Sequence, residues 1–180
     1  MTTMTTNYND DADAVDGLSN VYIESTLDQL STTNFIGVYS AENFPFKYLK
    51  KNRTQKMNLI CNLSPSNKPG THFIALCCSS NKIKYFDSLG MSPTTSKHVY
   101  NSLKKLTKRR HELAEVLPKA IQSDTSSHCG FYCMLYVLLE DDYIKFCQPT
   151  GLKRFSINNL DMNDSICVRN LLTVIALCRK

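Results

Sequence analysis

The sequence predicts an α+β domain in which a central mixed sheet is flanked by helices and a cysteine opens a buried helix. Three observations lead there. Two apolar, β-rich runs, Met57 to Leu63 and His72 to Ser79, are followed closely by an alternating third, Lys82 to Asp87. The helical patterns come mostly after these strands rather than between them, which separates α+β from a regular β-α-β alternation. A polar stretch, Ser126-Ser-His128, leads directly into the apolar run Cys129 to Glu140, as at the start of a buried helix.

The elements follow in order. Residues 1–17 are rich in Thr, Asn and Asp with almost no apolar content, so a flexible acidic arm is expected there, with one domain over 18–180. Leu18 to Leu30 carries Val21, Ile23, Leu27 and Leu30 and reads as a short helix. Asn34 to Tyr39 is β-rich around Gly37, and Ala41 to Phe46 reads as a loop ending at Pro45. Pro65 to Gly70 punctuates the chain between two strands, and Asn81-Lys82 makes a tight turn. Thr95 to Arg110 is amphipathic, with Val99, Leu103 and Leu106 on one stripe and Lys and Arg opposite. Val116 to Ile121 reads as a short strand, and Asn163 to Arg179 as a final apolar helix.

Composition narrows the function classes. The chain has 180 residues, enough for one domain with a real core. No run of 18 apolar residues is present, so no membrane-spanning helix is expected. Met1 to Asn9 has neither a basic nor an apolar segment, so no secretory signal is expected. Of the eight cysteines, Cys61, Cys77, Cys78, Cys133, Cys167 and Cys178 sit among apolar residues, as reduced core thiols do. No second pair at ligand spacing accompanies Cys129 and Cys133, so no metal is expected. Residues 1–33 hold six acids and no Lys or Arg, which leaves the remainder at +11. Such a balance attracts polyanions. Lys104, Lys105, Lys108, Arg109 and Arg110 form the densest cluster, read either as a nucleic-acid contact or as a solvated helix face.

The chemistry concentrates at four residues. A thiol that acts as nucleophile must ionise near neutral pH, and a helix N-terminus favours negative charge. Cys129 occupies such a start, and Gly130 permits close approach of a substrate backbone. The Cys129 N–H is then a natural oxyanion donor, with the side-chain amide of Gln122 as the second. A thiolate needs a base within reach. His72 opens an apolar strand, whereas His128 adjoins the cysteine awkwardly and His98 and His111 fall on the basic helix. A hairpin turning near Asn81 brings Asp87 beside His72, where an acid orients the imidazole. Each residue alone has a bland reading as core, hydrogen-bonder or turn. Their ordered combination does not.

These stretches resemble the adenovirus endopeptidase family and, more distantly, the SUMO and ubiquitin-like-protein proteases of the same papain-like clan. Asn34-Phe-Ile-Gly-Val-Tyr39 with Asn43-Phe-Pro45 resembles the family's amino-terminal element. Gly70-Thr-His72-Phe-Ile-Ala75 resembles its histidine strand, and Tyr85-Phe-Asp87-Ser-Leu-Gly90 its acid strand. Gln122 to Cys133 resembles its Gln…Cys-Gly element with the spacing kept. Phe73 stands where the family has Trp, and the acid is Asp rather than Glu. The resemblance implies a cysteine endopeptidase acting in virion maturation on viral precursor proteins, with Cys129, His72, Asp87 and Gln122 in the family's roles. It implies no small-molecule cofactor, DNA as an activity-enhancing cofactor, a monomer, no membrane partner, and a place in the virion and the nucleus or cytoplasm of an infected cell. The family's peptide activator works through a disulfide to an upstream cysteine. No cysteine lies between Cys78 and Cys129, so that route is not expected. A deSUMOylase or deubiquitinase and a non-enzymatic basic virion protein are the competing functions.

Overall fold

The computed structural model describes residues 18–30, 34–52, 54–64, 72–108, 112–115, 117, 119–139, 153–156 and 158–179. The acidic arm, the Pro65 to Gly70 turn, His111 and the Arg109-Arg110 pair lie outside the described residues.

The elements run α1 (Asn20–Gln29), β1 (Phe35–Ser40), α2 (Phe46–Lys51), β2 (Met57–Asn62), β3 (Phe73–Cys78), β4 (Lys82–Phe86), a 3₁₀ turn at Pro93–Thr95, α3 (Lys97–Thr107), β5 (Glu112–Glu115), α4 (Cys129–Leu138) and α5 (Leu160–Cys178). The five strands form one mixed sheet in the order β1-β2-β3-β4-β5. β2, β3 and β4 are antiparallel neighbours, while β1 and β5 run parallel to β2 and β4 at the two edges.

Both faces of the sheet are covered, which explains why β2 and β3 are buried at every position. Alternate residues of β3 serve different cores: Phe73, Ala75 and Cys77 join α1, α4 and α5, whereas Ile74, Leu76 and Cys78 join α2 and α3. α4 owes its place to packing. Tyr132, Cys133, Met134, Leu135 and Tyr136 are all buried, and the Tyr136 ring stacks on Phe86 with centroids 4.3 Å apart. Burial stabilises each large apolar side chain by about 1.5–3 kcal/mol. The weak helix propensity of Tyr, Cys and Val costs less than about 0.7 kcal/mol per residue and is overridden. Side chains cap two helices: Ser19 accepts from the Tyr22 N–H on α1, and Asn159 from the Met162 N–H on α5.

Three local expectations change. Phe46–Lys51 is helical rather than the end of a loop. The edge strand is Glu112–Glu115, ahead of the expected 116–121, of which 116 and 118 lie outside the described residues; pairing with Lys82–Tyr85 selects the extended form of a Glu-Leu-Ala-Glu sequence whose own preference is helical. Cys178 is exposed at the end of α5, while Cys61, Cys77, Cys78, Cys133 and Cys167 are buried as expected.

Candidate active site

The sheet and α4 converge at one end, where β3 begins, β4 ends and α4 starts. His72 immediately precedes β3 and Asp87 immediately follows β4. Extending the β3–β4 register, in which Ala75 faces Phe86, puts Asp87 opposite Ile74. His72 and Asp87 are therefore diagonal neighbours on one face rather than directly opposite, a separation that an imidazole spans. His72 Nε2 lies 2.9 Å from Asp87 Oδ1, and both residues are buried.

Asp87 is held from three sides. Besides His72, the Leu89 N–H donates to Oδ1 at 2.8 Å and the Tyr85 hydroxyl to Oδ2 at 3.3 Å. Residues 85 and 87 share a face of β4 by the two-residue strand period, so the phenol reaches the carboxylate. Burial and then the Asp87 carboxylate push the Tyr85 phenol up, keeping it a donor. Sequence reasoning did not single out Tyr85, although its two-residue offset from the acid was a visible signal.

Cys129 is the first residue of α4 and is buried. Its helix differs from α1 and α5 in that the preceding His128 supplies no side-chain cap. The Phe73 backbone N–H donates to Cys129 Sγ at 3.4 Å. The Cys129 thiol is also near enough to His72 to act on its protonation. Burial pulls His72 down. Its hydrogen bond to Asp87 and its interaction with Cys129, with the charges of both, outweigh that pull and raise it from 6.5 to about 9. Burial pushes the thiols of Cys61 and Cys78 up to about 12, and those of Cys133 and Cys167 well up, so they stay protonated.

Gln122 is buried in the loop before α4. Its Nε2 donates to the Ser126 carbonyl at 2.8 Å, and its Oε1 accepts from the Ser88 hydroxyl at 2.6 Å. The amide thus links the residue after Asp87 to the loop that delivers Cys129. The same loop is tied to α5. Asn163, fully buried, donates to the Ile121 carbonyl at 2.8 Å and to the Ser156 carbonyl at 2.8 Å while accepting from the Ser156 N–H.

Gly130 has a role beyond substrate approach. A Cβ there would sit 3.1 Å from Ile23 Cδ1 and 3.3 Å from Leu18 Cβ. The glycine lets α1 close over the start of α4.

The remaining candidates lie apart from this convergence. The His128 ring turns to Ser126 Oγ, 3.1 Å from Nδ1, and lies 3.8 Å from Asp164. It lines a cavity of about 760 Å³ with Asp164, Val168, Arg169 and Leu172. His98 is exposed on α3. Lys104, Lys105 and Lys108 are also exposed, on or just after α3, and Lys105 Nζ lies 6.0 Å from the Phe46 ring centre. α3 packs on the sheet face opposite α4. Among the described residues no group of three His, Cys, Asp or Glu side chains is arranged to hold a metal ion, and no helix is long and apolar enough to cross a membrane.

A family profile described as adenovirus endoprotease matches residues 35–151, a span containing His72, Asp87, Gln122 and Cys129. No curated protein sequence matches the chain. Among solved structures, the ASFV pS273R protease is 18% identical, over 87% of this chain and 67% of that one, with a TM-score of 0.48. AvrA with IP6 and CoA is 12% identical over 88% and 68%, with a TM-score of 0.47. The central domain of the uncharacterized Lpg1148 protein from Legionella pneumophila is 15% identical over 92% and 99%, with a TM-score of 0.50. This last likeness is one of fold.

Proposed function

Because the chain belongs to the adenovirus endoprotease family and is a cysteine peptidase, we propose that it is an endopeptidase that cleaves viral precursor proteins through Cys129, His72 and Asp87. The observation that carries this reading is the buried His72–Asp87 contact of 2.9 Å beside a cysteine at the first position of a helix.

In this mechanism the Cys129 thiol gives its proton to His72, and the imidazolium and helix N-terminus hold the resulting negative sulfur. The sulfur attacks the scissile carbonyl carbon, and the carbonyl electrons move to oxygen. The Cys129 N–H and Gln122 Nε2 receive that oxyanion. Collapse breaks the C–N bond, and His72 donates its proton to the departing amine. His72, now neutral, takes a proton from water as the oxygen attacks the thioester. The acid product leaves and the sulfur is regenerated. Asp87 keeps the imidazole oriented throughout and stabilises its charged form.

The reading extends to precursor cleavage after small residues such as Gly, by a monomer acting in the virion and in the nucleus or cytoplasm of an infected cell, with no small-molecule cofactor. DNA bound by Lys104, Lys105, Lys108, Arg109 and Arg110 would confine enzyme and substrate to one polymer. α3 faces away from α4, so a bound polyanion there leaves the cleft open.

The test is incubation of the purified chain with a Gly-Gly fluorogenic peptide and with SUMO and ubiquitin probes, with and without DNA over a salt series. Peptide cleavage without probe capture is the expected result. Capture of a SUMO or ubiquitin probe at Cys129 would instead make the chain an isopeptidase. With DNA, log affinity should fall with log salt, and neutralising the five basic residues together should flatten that slope by several units. Identical responses of wild type and the five-fold variant remove DNA from the partners.

A further inference from the structure

We propose that Ser88 is a positioning residue that, together with the Ser126 carbonyl, holds the orientation of the Gln122 side-chain amide for the oxyanion. The proposal rests on the reading of Gln122 as an oxyanion donor.

A side-chain amide has two nearly isosteric ends, and only the NH₂ end can donate. An amide turned the wrong way presents an oxygen to the developing negative charge and repels it. Something must therefore choose the orientation. The Ser126 carbonyl can only accept, so Gln122 Nε2, 2.8 Å away, must face it. That leaves Oε1 toward Ser88. The Ser88 hydroxyl, 2.6 Å from Oε1, must then be the donor.

Ser88 is fully buried and Gln122 nearly so, so no bulk water replaces this bond. Ser88 also grips the backbone at the same place. Its carbonyl accepts from the Ile121 N–H at 2.9 Å and the Gln122 N–H at 3.1 Å. Main chain and side chain of one serine thus fix both ends of Gln122. Because Ser88 follows Asp87 directly, the dipeptide Asp87-Ser88 ties the group that orients His72 to the group that orients Gln122. One short turn at the end of β4 sets the spacing between the proton carrier and the oxyanion donor.

The test is a double-mutant cycle of Ser88→Ala, Gln122→Ala and the pair, assayed in the full chain on the Gly-Gly fluorogenic peptide. Ser88→Ala should lower kcat about tenfold with KM nearly unchanged, the scale of one ordinary hydrogen bond. In the Gln122→Ala background the serine substitution should have no further effect, because its action passes through the amide. Alkylation of Cys129 by iodoacetamide, which uses no oxyanion donor, should stay at the wild-type rate. In NMR spectra the Gln122 side-chain NH₂ protons should exchange faster in Ser88→Ala than in wild type. If the alanine variant fails to fold, Ser88→Cys keeps the volume with a weak donor and takes its place.

A kcat loss for Gln122→Ala with none for Ser88→Ala overturns the proposal alone. Additive losses, or slowed alkylation, make Ser88 merely structural and also overturn it. A Gln122→Ala protein with wild-type kcat removes the oxyanion reading and the proposal with it, but leaves the roles of Cys129 and His72 standing.

Discussion

The imidazole of His72 lies between an acid and a thiol in a buried site, and burial by itself favours its neutral form. The hydrogen bond to Asp87 and the interaction with Cys129 reverse that preference, and His72 stands at about 9 instead of 6.5. A histidine raised on folding stabilises the fold fully below the unfolded value of about 6.5 and loses that contribution as pH rises through about 9. In the proposed mechanism cleavage follows the same sign, since the departing amine would take the imidazolium proton. We expect kcat/KM to fall as pH rises through about 9. Asp87→Asn should move that basic limb downward, because the amide offers no charge to hold the imidazolium. A limb that stays in place in Asp87→Asn would assign the titration to another group.

Among the elements, α4 and α5 bear most directly on the site. A Cβ at Gly130 would crowd Leu18 and Ile23 at 3.1–3.3 Å, so a side chain at the start of α4 requires those neighbours to shift by a few tenths of an ångström. Gly130→Ala should destabilise the protein by about 1–3 kcal/mol through overpacking, read as a lower denaturant midpoint. An unchanged midpoint would mean that α1 yields without cost. Asn163 braces the loop from the α5 side, and Asn163→Ala should cost about 1–3 kcal/mol by leaving the Ser156 carbonyl without its buried donor and the Ile121 carbonyl with only the Tyr132 hydroxyl at 3.3 Å. Its kcat should fall as well, because Ile121 adjoins Gln122. A purely stability effect would confine Asn163 to the scaffold. Elements with a strong internal signal were legible in the sequence: the β3–β4 hairpin, the stripe of α3 and the apolar run of α4. β5 was not, because Glu112–Glu115 becomes a strand only by pairing with β4. α2 was missed because six residues carry too little periodicity. His72, Asp87, Gln122 and Cys129 stood out through their linked motifs. Ser88 read as an ordinary turn residue, since its partner lies 34 positions away and only the fold brings them together.

At the scale of the molecule, one sheet separates two sets of helices. α1, α4 and α5 cover one face, with Cys129 at the start of α4, and α2 and α3 cover the other, where the lysines project; His72 and Asp87 stand at the end of the sheet, where the two faces meet. The buried thiols of Cys61, Cys78, Cys133 and Cys167 are held protonated by burial, as suits core side chains rather than nucleophiles. The most direct test needs no knowledge of the natural substrate. Wild type, Cys129→Ala and His72→Ala are incubated with a denatured protein mixture, and new N-termini are identified by mass spectrometry alongside thermal unfolding of each protein. New termini should arise with wild type alone, while all three proteins unfold cooperatively as folded domains. The same termini produced by a folded Cys129→Ala protein would contradict the assignment of Cys129 as nucleophile.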